Sequence, residues 1–187
     1  MSALPAMAAA APAREAGIRV VPVWQQVTPQ LVEELTAFWL EHKAIADAEQ
    51  AAARARQAVL VARDADGALC GVATAMVRVL PRLRQPLYYY RQFFAPKLRG
   101  RYQVLTFFRR AKAVLQAYNA SLPRAESLGI LLEIESPRLA GQFRRAHMSH
   151  TGATFIGYSP RGLQLRVAYF DDAMLLPPAA PARARQA

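Results

Sequence analysis

The sequence predicts a single α/β domain, a mixed and mostly antiparallel twisted sheet flanked by helices. Three observations carry this. Short β-branched and aromatic runs alternate with segments of helical periodicity, in the order β-α-α-β-β-β-α-β-α-β-β. Several of the runs are joined by turns too short for a crossover, which makes those neighbours antiparallel. A hydrophobic content of 53% excludes a disordered chain.

The elements follow in order. Residues 18–23 are a β-branched strand. Thr28 caps a helix with Pro29 in its first turn, and Leu31, Val32, Leu35, Phe38 and Trp39 recur on one face. Residues 44–57 are Ala-rich and helical, with Ala51, Ala52, Ala53 and Ala55 adding propensity but little burial. A hairpin joins 58–63 to 69–80 through Asp64-Ala65-Asp66-Gly67. Residues 87–95 are an aromatic strand closed by Pro96, and a long amphipathic helix spans 102–119. A strand at 128–136 and a helix from Pro137 to about 147 follow. The last stretch, 154–170, reads as two strands turning at Ser159-Pro160-Arg161-Gly162.

The chain has 187 residues, and residues 1–17 and 177–187 are Ala/Pro-rich tails without apolar periodicity, leaving 18–176 as the domain. One cysteine, Cys70, rules out a disulfide framework and a cysteine zinc site. His42, His147 and His150 match no ligand spacing, so no metal is expected. Apolar runs fall short of the ~18 residues a membrane span needs, and the start lacks a charged leader, so the expectation is a cytoplasmic protein. The formal net charge is +11, almost all of its cations being Arg, which suits phosphorylated ligands or acidic partners. An Ala content of about a fifth offers a plainer reading, genomic base composition.

The segment Phe94-Ala95-Pro96-Lys97-Leu98-Arg99-Gly100-Arg101 stands between the fourth strand and the long helix. A strand-to-helix junction aims free N–H groups and the positive end of the helix dipole at one spot, which a pyrophosphate fits. Arg99 and Arg101, two cations beside that positive end, are unfavourable there unless an anion joins them. With the element order, this turn resembles the GNAT superfamily of acyl-CoA-dependent N-acyltransferases, whose pattern is x-Pro-x-x-Arg-Gly-x-Gly-x-Gly/Ala. The match holds through Arg101 and then departs, with Tyr102 and Val104 in place of glycine.

That resemblance implies a GNAT-like fold over 18–170 and a donor site made by Phe93, Phe94, Ala95, Arg99, Gly100, Arg101, Tyr102, Gln103 and Val104. It also implies that the aromatic strand parts from the next near Phe93–Ala95, to admit the pantetheine arm and thioester. Alternation puts Tyr88, Tyr90 and Gln92 on one face and Tyr89, Arg91 and Phe93 on the other, either as core or as an acyl-chain pocket. The donor expected is acyl-CoA, including long-chain acyl-CoA, or acyl carrier protein, whose acidic surface would suit Arg82, Arg84, Arg99, Arg101, Arg109 and Arg110.

Acyl transfer to an amine needs a proton acceptor. Glu133 and Glu135 share one strand face, ~7 Å apart, and should raise each other's pKa. The other reading pairs them with nearby Arg. For the general acid, the family's tyrosine falls on Phe143, which cannot donate a proton; His147, His150 and Tyr158 are substitutes, with His147 and Tyr158 the principal candidates. The expected activity is direct transfer, in a ternary complex, to a small amine, an amino acid or a peptide, with a homodimer left open. The alternative is a non-catalytic binding module on the same fold, keeping its arginines for an acidic protein or nucleic acid. Scattered arginines and the lack of a recognised motif argue against nucleic acid.

Overall fold

The computed structural model describes residues 14–15, 17–98 and 103–178. The strands are β1 (Arg14–Glu15), β2 (Ile18–Pro22), β3 (Ala58–Arg63), β4 (Leu69–Leu80), β5 (Gln85–Phe94), β6 (Gly129–Ile134), β7 (His147–Met148), β8 (Ala153–Tyr158) and β9 (Gln164–Tyr169). They form one sheet in the order β1-β2-β3-β4-β5-β6-β9-β8-β7, in which only β5 and β6 run parallel. The helices are α1 (Pro29–Glu41), α2 (Ala48–Ala55), α3 (Gln103–Ser121) and α4 (Pro137–Gln142). β1 lies inside the segment read as a tail, and β7 inside the loop after the last helix; two-residue strands carry no periodicity to read.

Helix α1 starts where Thr28 Oγ1 accepts from Leu31 N–H at 3.2 Å, and it buries Leu31, Leu35, Phe38 and Trp39. Helix α2 is capped by Asp47, whose Oδ1 accepts from Gln50 N–H at 2.6 Å. Contrary to the expectation of little burial, Ala51 and Ala55 are fully enclosed against Ala58, Val61 and Val72. Their small size lets the helix approach the sheet closely. On the opposite face α3 buries Phe107, Phe108, Ala111 and Leu115 against Tyr88, Tyr90, Phe94 and Ile130. Strand β5 thus has helices over both faces, which is why it reads as an almost unbroken apolar run. A Cβ at Gly71 would stand 2.5 Å from Phe94 Cδ1, so the missing side chain makes room for that ring.

Helix α4 is shorter than expected. It stops at Gln142, and beyond it the buried Arg166 guanidinium donates to the carbonyls of Phe143, Arg145 and Ala146 and holds the segment in a non-helical path.

Candidate active site at the parting of two strands

Strands β5 and β6 are bonded only through the pairs Tyr88–Ile130, Tyr89–Leu131 and Tyr90–Leu132. Beyond these, β5 stays with β4 as far as Phe94 and β6 stays with β9 as far as Ile134, so the two diverge from Arg91 and Glu133 onward. The parting begins earlier than the Phe93–Ala95 expected. Ala95 N–H donates to Cys70 carbonyl at 2.9 Å. Backbone groups alternate in direction along a strand, so those of Gln92 and Phe94 point away from β4 into the gap, whereas those of Phe93 and Ala95 do not.

Side chains divide as alternation requires. Tyr88, Tyr90 and Phe94 lie on the α3 face and Tyr89, Arg91 and Phe93 on the α1–α2 face. The aromatic rings are core. Tyr90 meets Phe108 at 5.5 Å between centroids, Phe94 meets Phe107 at 5.0 Å, and Phe93 meets Phe38 at 5.5 Å.

Glu133 is the first β6 residue past the parting and is mostly buried. Tyr89 Oη donates to its Oε2 at 2.7 Å, and Arg161 Nη2 stands 2.8 Å from the same oxygen. The same Arg161 nitrogen lies 2.9 Å from Glu135 Oε1. Burial pushes the Glu133 carboxyl up, but hydrogen bonds from Arg161, Ser159 and Tyr89 outweigh it and hold the group at about 2. The expectation that the two carboxylates raise each other is therefore overturned at Glu133, where Arg161 supplies the opposing charge. Burial, with the Glu133 bond and charge, pushes the Tyr89 phenol up. The residue that sequence reading missed is Arg161. Its signal was the Ser159–Gly162 turn, which brings the β8–β9 loop against β6.

The same face carries three more cations, Arg54, Arg78 and Arg91. Arg91 Nη2 donates to Gln57 Oε1 at 3.2 Å, and Arg54 Nε donates to Thr74 Oγ1 at 3.4 Å. Arg78 and Arg91 lie 4.9 Å and 5.4 Å from the Tyr89 ring centroid.

The other candidates fall elsewhere. His147 opens β7, three strands beyond β6 at the sheet edge, where its Nδ1 bonds Thr154 Oγ1 at 2.9 Å; it does not end a helix. Tyr158 is exposed on β8 and packs on Phe155; register puts both on the face opposite Glu133. Phe143 lies 5.7 Å beneath Arg166. His150 borders a shallow groove with Lys112, Gln116 and Asp171, and its carbonyl accepts from Arg109 Nε at 3.0 Å.

In the donor turn, Arg99, Gly100, Arg101 and Tyr102 lie outside the described residues. Leu98 is buried in the α3-side core, Gln103 opens α3, and Val104 packs half-buried against that core. Arg82 and Arg84 precede β5, whereas Arg109 and Arg110 lie on α3, which begins past the strand's other end.

No protein-family model matches the sequence, and no curated protein matches it. Solved structures do match in fold. A GNAT-family acetyltransferase from Streptococcus pneumoniae aligns at TM-score 0.56 and 12% identity over 82% of this chain and 99% of that one. The ribosomal-protein-S5-alanine acetyltransferase from Vibrio fischeri aligns at 0.57 and 9% over 88% and 100%. A variant of the spermidine N-acetyltransferase from Vibrio cholerae aligns at 0.50 and 11% over 83% and 94%. The chain therefore has the fold of these acetyltransferase structures. Among the described residues no helix is long and apolar enough to cross a membrane.

Proposed function

We propose that this protein is an N-acyltransferase that moves an acyl group from an acyl-CoA thioester to a primary amine in a ternary complex. The observation that carries the reading is the parting of β5 from β6 beside the Tyr89–Glu133 pair. The gap presents backbone groups of Gln92 and Phe94 to which amides of a strand-like ligand can bond. The turn into α3, with Arg99, Gly100, Arg101 and Tyr102 and the first N–H groups at Gln103 and Val104, is the proposed seat of the pyrophosphate. Two similar structures are named for amine acceptors, a ribosomal-protein alanine and spermidine.

Glu133 is held at about 2, which makes it a poor base for an ammonium but a permanent negative charge. Its role in this reading is to bind and orient the amine, while water carries the proton away. The amine nitrogen bonds to the thioester carbonyl carbon, the C–S bond breaks, and the thiolate leaves without a strong acid. In this reading His147 and Tyr158 take no part, since His147 stands three strands away from Glu133 and Tyr158 lies on the opposite face.

Thermal denaturation with CoA and acetyl-CoA, followed by thiol release with amines, tests the proposal. Ligand at a hundred times its Kd adds about 2.7 kcal/mol. Glu133→Gln should keep that stabilisation and raise the acceptor KM about tenfold. If CoA and acetyl-CoA leave the melting temperature unchanged, the binding-module reading replaces this one.

A further inference from the structure

The α1–α2 face at the parting has more positive charge than its own carboxylates balance. Both carboxylates there, Glu133 and Glu135, are bonded to the single guanidinium of Arg161. Arg54 and Arg91 have no carboxylate within ion-pairing distance among the described residues, although both are half-buried. Arg54 makes one long bond to Thr74 and lies 5.3 Å over the Trp39 ring. Arg91 makes one bond to Gln57, and its Nε is buried without a partner. Burial, then the charge of Arg91, lowers Arg54 to about 10, and burial lowers Arg91 as well.

Two guanidiniums drawn partly out of water and acting against each other are costly. Stacking on Trp39 and Tyr89 offsets part of that cost but leaves the charge in place. An anion accepting from both would neutralise it through charge-assisted bonds. Arg91 is the first β5 residue past the parting, two residues beyond Tyr89 on the same face, so their Cα atoms are about 7 Å apart. Tyr89 is in turn bonded to Glu133. A negative pole and a positive pole thus stand side by side at the scale of a small zwitterion.

We propose that Arg54 and Arg91 form a carboxylate subsite, so that the acceptor is an amino acid, its amine held at Glu133 and its carboxylate by the two arginines. The amine half of this assignment rests on the acyltransferase reading; the carboxylate half does not. A diamine is disfavoured here, because its second ammonium would face two guanidiniums.

The test uses the full chain with acetyl-CoA and matched acceptors. Each proteinogenic amino acid is compared with its carboxamide, alongside cadaverine, spermidine and phosphoethanolamine, by thiol release and by thermal shift. At least one amino acid should exceed its carboxamide in kcat/KM by about tenfold or more. Arg91→Gln and Arg54→Gln should each remove that margin by raising KM for the amino acid and not for the carboxamide. If Arg91→Gln fails to fold, Arg54→Gln on the half-exposed side of α2 carries the test.

Carboxamides or polyamines matching every amino acid, phosphoethanolamine surpassing them all, or no amino acid giving any response would overturn the proposal. The two readings fail separately. Loss of the acetyl-CoA shift alone refutes the acyltransferase, whereas an amino-acid shift that Arg91→Gln abolishes would keep the subsite without it.

Discussion

Strands β5 and β6 are fastened at one end and parted at the other, and the ends are built from different chemistry. At the fastened end, uncharged groups close a complete network. Ser127 Oγ accepts from Tyr88 N–H at 3.1 Å and Gly129 N–H at 3.2 Å and donates to Gly129 carbonyl at 2.8 Å. Asn119 Oδ1 accepts from Glu126 N–H and Ser127 N–H, while its amide donates to Ser127 carbonyl. At the parted end the groups are charged, and Arg54 and Arg91 lack carboxylate partners. One end spends its hydrogen-bonding capacity on the fold, and the other keeps capacity for a ligand. The contrast predicts that substitutions at the fastened end change stability, whereas those at the parted end change binding.

The largest effect should come from Gly129→Ala. A Cβ there would collide with the Ala168 carbonyl and stand 2.7 Å from Tyr169 Cα, at a φ of +157°. Because the obstacle is backbone, a loss of about 3 kcal/mol or more is expected in urea denaturation. A loss under about 1 kcal/mol would show that β9 can move aside. Ser127→Ala should cost about 2 kcal/mol, since it strands two buried N–H donors, and should leave acceptor KM unchanged. A shift in acceptor KM there would mean that the two ends are coupled.

Arg161→Ala should give the smallest stability change at neutral pH, because that side chain is more than half exposed. Its signature is in the pH dependence. Glu133 is held below its ordinary value of 4.5, so its bonds contribute stability above pH 4.5 that is lost as pH falls toward about 2. The variant should lose less stability than the parent over that interval. Other carboxylates titrate there too, but they do so in both proteins, and parallel curves would refute the Arg161–Glu133 pairing.

Most of the fold was legible because its signals are local. Thr28 before Pro29 marked α1, Asp64 to Gly67 marked the hairpin, and tyrosine alternation assigned the two faces of β5. Local signals failed where tertiary contacts decide. The non-helical path after α4 is held by Arg166, far along the chain, and Ala51 and Ala55 are buried because α2 comes close to the sheet. The site was half legible. Glu133 stood out as an acidic residue in an apolar strand, but its ionisation depends on Arg161, which the β8–β9 turn supplies from 28 positions away. Nothing in the sequence marked Arg54 and Arg91 apart from the other arginines, because what distinguishes them is partial burial side by side at the parting, which only the folded sheet and α2 create.

Arg166 fastens the segment after α4 by its carbonyls, which every residue type possesses. The grip is therefore indifferent to which side chains occupy positions 144–146, though Phe143 adds its ring beneath the guanidinium. Substitutions at Arg144 and Arg145 can accumulate without loosening the segment, so this short stretch can change its outward chemistry while its path stays constant. A single buried guanidinium gives the protein a tolerant surface where a longer helix would have imposed a pattern on it.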